Sequence, residues 1–303
     1  MSSSLKPHRI LIVDDEPDVH SVTRMTLRRM TFGERPVELA SAYSGTEAID
    51  DLRAHPETAV VLMDVVMESN DAGLKACERI RSELSNHLTR LLLRTGQPGH
   101  APERECIDSY DIDGYLPKAE LSSTRLYAAV RTAIKAFDEL EALERHRSLL
   151  AYIHESIAGL RPFDTLEQNL QRILATATSA AGATRAVLEL ETVEETGEPR
   201  HCLLWFGAAD DAVASRLAAE VSRDAALRDS VEAVEREQAL YLPLKLPRDM
   251  GRGWIHLEGC ALDPLTRQAL AVLVIHAANA LYANVALSVL EAREGPFYDS
   301  MSV

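Results

Sequence analysis

Five short apolar runs punctuate the first 120 residues: Arg9-Ile-Leu-Ile-Val13, Val37–Ala42, Ala59-Val-Val-Leu-Met63, Leu91-Leu-Leu-Arg94 and Gly114-Tyr-Leu-Pro117. Amphipathic stretches separate them. Apolar runs of this length without strict alternation read as strands covered on both faces, and the stretches between them read as helices. The pattern predicts strands near 9–14, 37–42, 59–64, 89–95 and 112–117, with Glu16-Pro17 opening the first helix. Right-handed crossovers between parallel strands then give an α/β, doubly wound, five-stranded parallel sheet in order 2-1-3-4-5.

Beyond it, no Gly or Pro occurs from Ala119 to Ala158, which predicts one long helix. Leu143, Leu150 and Ile157 fall seven apart, with Ile153 and Leu160 interleaved and His146 interrupting the second set. The spacing favours a parallel dimer helix over a helix packed on its own second domain. Gly159 and Pro162 end it. A second pattern follows: helix 164–181, strands Ala186–Leu190 and Cys202–Phe206, one or two helices over 210–237, strands Leu240–Leu244 and Gly253–Leu257, and a helix over 264–290. These strands alternate, as a sheet with one buried face requires, so the class is α+β. The expected divisions are 1–138, a helical linker 139–162, and 163–303. Gln268–Leu290 is apolar enough to resemble a membrane span. It contains His276, Asn279 and Asn284 and is rich in Ala, whereas a span is expected to have basic flanks and aromatic anchors, so it reads as a buried or partner-facing helix, with no membrane insertion.

The chemistry sits where the runs end. Asp14-Asp15, Asp64, Thr95 and Lys118 each follow an apolar run, and residues just past the strand carboxyl ends of such a sheet gather on one edge. Clustered carboxylates need a cation, and Mg2+ fits a set of carboxylates, a carbonyl and water. Asp15 and Asp64 are candidate direct ligands, with Asp14 beside them and the backbone carbonyl of Val66 as a further oxygen. Asp64 is the candidate nucleophile toward phosphorus. Lys118 would pair with a phosphoryl oxygen as a point charge, and Thr95 would donate to another. Tyr115 stands where it could fill the space that an inward-moving Thr95 leaves.

The pieces Ile12-Val-Asp-Asp-Glu-Pro17, Leu62-Met-Asp-Val-Val-Met67, Arg94-Thr-Gly96 and Gly114-Tyr-Leu-Pro-Lys118 resemble a response-regulator receiver domain over about residues 8–138. The resemblance implies that Asp14 and Asp15 are the acidic pair, Asp64 the phosphoacceptor, Thr95 and Tyr115 the switch residues and Lys118 the phosphate-pairing lysine. Two positions depart from the family: Glu68 stands after Met67 where Pro is usual, and Ala119 follows Lys118 where Pro is frequent. Asp64-Val-Val-Met-Glu68, Asp71-Ala-Gly-Leu74, Leu93–Gly99 and Ala101-Pro-Glu-Arg104 further resemble a receiver subfamily. Its members carry a domain of unknown function and often an HD-GYP cyclic-di-GMP phosphodiesterase. The element order of the second domain is similar to a GAF-like domain.

The formal charge of −15, without a basic cluster, argues against nucleic-acid binding. Cys77, Cys106, Cys202 and Cys260 are scattered as reduced thiols would be, and no apolar leader opens the chain, so a cytoplasmic protein is expected. No His is followed by Asp, and no Gly-Gly-Asp-Glu-Phe occurs. Glu141-Ala142-Leu143 lies in the long helix, not on a barrel strand. His201, His256 and His276 lack ligand spacing, and Trp205 and Trp254 read as core. The expectation is a non-enzymatic response regulator: a sensor histidine kinase or phosphotransfer protein phosphorylates it, and output passes by protein contact, with a homodimer. Two alternatives stand beside it: a regulatory relative of a cyclic-di-GMP enzyme, and a ligand-sensing module with an accessory receiver.

Overall fold

A computed structural model describes residues 6–96, 109–118, 122–160, 164–193, 199–207, 211–236, 239–260 and 263–294. The chain divides into two compact units, Met1–Glu144 and Arg145–Val303.

The first unit runs β1 (His8–Val13), α1 (Pro17–Leu27), β2 (Thr31–Phe32), β3 (Arg35–Ala42), α2 (Gly45–Ala54), β4 (Val60–Asp64), α3 (Ala72–Ser82), β5 (Arg90–Thr95) and β6 (Gly114–Pro117), then enters α4 (Ser123–Ala158). The sheet order is β2-β3-β1-β4-β5-β6. From β3 to β6 every pairing is parallel, in the expected order. The extra strand, β2, is a two-residue antiparallel addition at the β3 edge. Its turn places Gly33 at φ 55° and Glu34 at φ 66°. Glutamate is an uncommon residue at positive φ, so the hairpin carries no Asn-Gly or Asp-Gly signal to read.

Both faces of this sheet are covered, which is why its strands are apolar at consecutive positions. Leu11, Val13, Val61, Met63, Leu91 and Leu93 pack with Ala48, Ile49 and Leu52 of α2 and Cys77 and Ile80 of α3. The alternate residues Ile10, Ile12, Val60, Leu62 and Leu92 pack with Leu27 of α1 and Leu126, Val130, Ile134 and Phe137 of α4. Polar ties hold the opposite strand ends: Asp113 accepts from Arg90 Nη1 and from the Leu91 N–H, both at 2.7 Å.

The second unit contains α5 (Leu166–Ala181), β7 (Arg185–Val193), β8 (Pro199–Gly207), α6 (Asp211–Arg223), α7 (Ala225–Arg228), β9 (Val234–Arg236), β10 (Ala239–Lys245), β11 (Gly251–Glu258) and α8 (Pro264–Glu294). Its sheet is antiparallel in order β8-β7-β11-β10-β9. A capping box between Thr165 and Gln168 starts α5, and Gly182 at φ 61° ends it. Helices α5 and α8 bury one sheet face around Leu188, Leu190, Leu242 and Ile255. Asn169 and Asn284 bond across the two helices at 2.6 Å. Helix α6 covers the other face over Val187 and Trp254.

Several expectations are corrected here. The region 210–237 ends in β9 rather than helix, because Val234–Arg236 pair with Ala239–Tyr241. Trp254 is core, but Trp205 is 40% exposed on β8, an edge strand among the described residues. The heptad residues of α4 are taken up within the chain: Ile153 is buried and Leu150, Ile157 and Leu160 pack on the second unit's own core. Leu143 is exposed. Helix α8 is, among the described residues, the helix long and apolar enough to cross a membrane. Its Ala269, Leu270, Leu273, Ala277 and Leu281 lie in the core. Cys77 is buried, Cys202 and Cys260 are free thiols, and Cys106 lies outside the described residues.

Candidate functional site

β1, β4 and β6 lie in one parallel sheet, so the residues at their carboxyl ends meet at one edge. Asp14, Asp15 and Asp64 each offer a carboxylate oxygen within 4.8 Å of the others. Asp14 is fully buried and Asp64 is 3% exposed, while Asp15 is exposed. Lys118, directly after β6, reaches this cluster. Its Nζ lies 3.0 Å from Asp64 Oδ2 and 3.2 Å from Asp14 Oδ2, with Glu16 at 3.9 Å.

The electrostatics follow from the burial. Desolvation raises the Asp64 pKa above 3.8, against the lowering effect of Lys118, and the neighbouring Asp14 pushes in the same upward direction. Burial also works against the Lys118 ammonium, but the two carboxylates outweigh it and hold its pKa above 10.5. Asp14 Oδ2 is buried and makes no aligned hydrogen bond among the described residues, despite the nearby ammonium. An all-oxygen set with such an under-satisfied carboxylate suits a hard divalent cation. The chemistry of the donors therefore fits Mg2+.

The remaining expected residues line the same edge. Thr95 ends β5, is 1% exposed, and pairs in register with Pro117 beside Lys118. Tyr115 pairs with Leu93, two residues before Thr95, so Tyr115 and Thr95 share a sheet face. Val66 follows buried Val65, whose N–H donates to the Arg94 carbonyl at 3.1 Å. The segment 97–108, which includes the surface after β5, lies outside the described residues.

Four residues support this edge in roles that sequence reasoning did not assign to them. His20, buried on α1, donates from Nε2 to the Asp14 carbonyl at 2.7 Å, and its Nδ1 meets Ser41 Oγ at 2.8 Å. A carbonyl only accepts, so Nε2 carries the proton. His20, Thr23 and Leu27 follow helical spacing on the inward face of α1, a signal that could have marked it. Arg94, next to Thr95, is 7% exposed and donates to Thr23 Oγ1 at 3.2 Å. Gly73, at the start of α3, donates to the Val65 carbonyl, and a Cβ there would meet the Asp64 carbonyl oxygen at 1.9 Å. Glu68 occupies the position where Pro is usual, and its carboxylate accepts the Gly45 N–H at the start of α2.

The family match falls on the first unit. Residues 10–131 match the response regulator receiver domain. The chain is 37% identical over 176 residues to 3'3'-cGAMP-specific phosphodiesterase 2 of Vibrio cholerae serotype O1 (strain ATCC 39315 / El Tor Inaba N16961). That match covers 58% of this chain and 34% of the relative, so the chain spans about a third of the relative's length. Solved structures similar to it include a response regulator receiver domain protein from Clostridium thermocellum, with 20% identity and TM-score 0.38 over 44% of this chain and 98% of that one. Another is the signal receiver domain of an HD domain-containing protein from Pseudomonas fluorescens Pf-5, with 20% identity and TM-score 0.39 over 47% and 97%. The expectation of a non-enzyme does not stand, because the Vibrio cholerae relative is an enzyme. That expectation rested on missing signature strings, and a missing string excludes only one way of building a site.

Proposed function

We propose that this chain, whose residues 10–131 form a receiver domain, is a two-component response regulator phosphorylated on Asp64 by a histidine kinase or phosphotransfer protein. The observation that carries the reading is Lys118 Nζ standing between two buried carboxylates, 3.0 Å from Asp64 and 3.2 Å from Asp14. An Asp64 oxygen attacks the phosphorus of a phosphohistidine, the P–N bond breaks, and an aspartyl phosphate forms. Asp14, Asp15, Asp64 and the Val66 carbonyl would hold Mg2+, which supplies charge neutralisation for the transferred group. Lys118 exchanges its carboxylate partners for a phosphoryl oxygen. Thr95 turns its hydroxyl to another oxygen, and Tyr115, on the same face, follows it inward. The test is phosphorylation by acetyl phosphate or a donor kinase. Wild-type chain takes up acyl-labile phosphate, and an Asp64→Asn variant that takes it up equally overturns the assignment.

The similarity to the cyclic-dinucleotide phosphodiesterase supports a second element of the reading: the phosphorylation state governs cyclic-dinucleotide hydrolysis, in this polypeptide or in a partner enzyme. Purified chain is assayed with 3'3'-cGAMP and cyclic di-GMP, alone and with beryllofluoride and Mg2+. Hydrolysis, or capture of a cyclic-di-GMP enzyme, that changes with beryllofluoride supports it; the absence of both overturns it. The second unit is proposed as GAF-like on its element order. A homodimer belongs to the same proposal, supported by exposed Leu143 and Tyr152 on α4, and light scattering with beryllofluoride tests it.

A further inference from the structure

His256 lies on β11 of the second unit, on the sheet face that α6 covers. It is 2% exposed, yet neither ring nitrogen has a hydrogen-bond partner among the described residues. Its nearest carboxylate, Glu258, is 3.7 Å from Nε2, beyond hydrogen-bond reach. A buried polar side chain left this way needs an explanation, because an unmade hydrogen bond carries the full desolvation cost. The ring packs edge-on against Tyr241, with centroids 4.7 Å apart. Both residues line a cavity of about 710 Å³, together with Arg185, Leu217, Arg236 and Glu258.

Each charge lining this cavity is paired, although the partner of Arg236 lies outside the lining. Arg185 pairs with Glu258, and Arg236 pairs with Asp224. Burial lowers the His256 pKa below 6.5, so the imidazole is neutral and offers one N–H donor and one acceptor. Guanidinium groups already paired with carboxylates leave little free charge to select an anion. The wall presents guanidinium donors, a carboxylate acceptor, a ring with both roles and an aromatic face.

We propose that this cavity binds an uncharged planar heterocycle that carries both donors and acceptors on its edge, of the purine type, with His256 as the buried hydrogen-bonding anchor. The inference is independent of the phosphoryl chemistry of the first unit.

Calorimetric titration of the full-length chain in EDTA tests it, with adenosine and guanosine as probes and AMP and inorganic phosphate as charge controls. At least one nucleoside is expected to saturate with a Kd below about 1 mM. Phosphate is expected to give no heat. His256→Phe keeps the ring packing on Tyr241 and removes both nitrogens. It is expected to weaken nucleoside binding by about tenfold or more. Ala239→Phe crowds the same cavity from β10 and is expected to abolish binding, which keeps the test open if one variant folds poorly. Three results would each overturn the proposal: no nucleoside saturates, AMP binds about tenfold tighter than adenosine, or His256→Phe titrates like the wild type.

Discussion

The carboxylate of Glu68 accepts the backbone N–H of Gly45 at 3.0 Å and so closes the loop after β4 onto the first turn of α2. Ser44 already caps that helix by accepting the Glu47 N–H at 3.1 Å. An acidic group at a helix amino terminus meets the positive end of the helix dipole and satisfies an N–H that the helix itself leaves open. The residue that departs from the receiver pattern therefore holds a structural contact next to the acidic site. Glu68→Ala is expected to cost about 0.5–1 kcal/mol, read as a lower urea midpoint with an unchanged slope. No change in midpoint would show that Ser44 suffices.

Gly73 permits the close approach of α3 to the carboxyl end of β4. A methyl group there would sit 1.9 Å from the Asp64 carbonyl oxygen, so α3 or Asp64 must move. Gly73→Ala is expected to destabilise by about 1–3 kcal/mol and to weaken beryllofluoride binding as well. A variant with wild-type melting and wild-type beryllofluoride affinity would show that the helix start adapts freely.

Lys118 is the cation that two buried carboxylates share. Lys118→Ala leaves Asp14 and Asp64 facing each other without it. In EDTA the variant is expected to melt below the wild type, and millimolar Mg2+ is expected to recover most of the loss, because the metal neutralises the same pair. Thermal scans with and without Mg2+ measure this. Equal losses in both conditions would mean that Mg2+ does not bind these carboxylates.

Desolvation raises the Asp64 pKa above 3.8, so protons and metal compete for it as the solution is acidified. Protonation of a raised carboxyl begins at a higher pH than in an ordinary aspartate. Mg2+ affinity is therefore expected to fall as pH drops from neutral through that raised value, and to fall earlier than an exposed carboxylate site would. Fluorescence titration of Mg2+ across this range checks the direction; a flat affinity would contradict it.

His256 sets a second pH dependence. Its folded pKa lies below 6.5 through burial, opposed by Glu258 and Glu220 and aided by Arg185, with Tyr241 against the ring. Below pH 6.5 the unfolded chain takes up a proton that the folded chain refuses, so stability falls with acidification until the folded pKa is reached. His256→Phe removes this contribution. Its stability is expected to decline less than that of the wild type as the pH is lowered from 6.5. Urea midpoints along a pH series measure it, and parallel curves would place the titration elsewhere.

The five parallel strands of the first unit, their order and the gathering of Asp14, Asp15, Asp64, Thr95 and Lys118 at one sheet edge were legible in the order of residues, whereas the short strands β2 and β9 were not. A strand buried on both faces must be apolar at consecutive positions, and the polar residue that ends it must lie at the rim. Hidden from that view were contacts between residues distant in the chain. His20 reaches the Asp14 carbonyl because α1 packs on the sheet, and Gly73 matters because β4 passes beneath α3. The seam of Leu150, Ile157 and Leu160 shows the same limit, since a heptad specifies an apolar stripe without saying which surface covers it. Trp205 was read as core because its strand alternates, but alternation does not say whether a strand is central or at an edge. Local chemistry along the chain determined the strands, the helices and the acidic rim. Only the folded structure decided which side chains buttress that rim, which stripe meets its own core, and where a neutral histidine faces a cavity, because burial belongs to neighbours that the order of residues does not name.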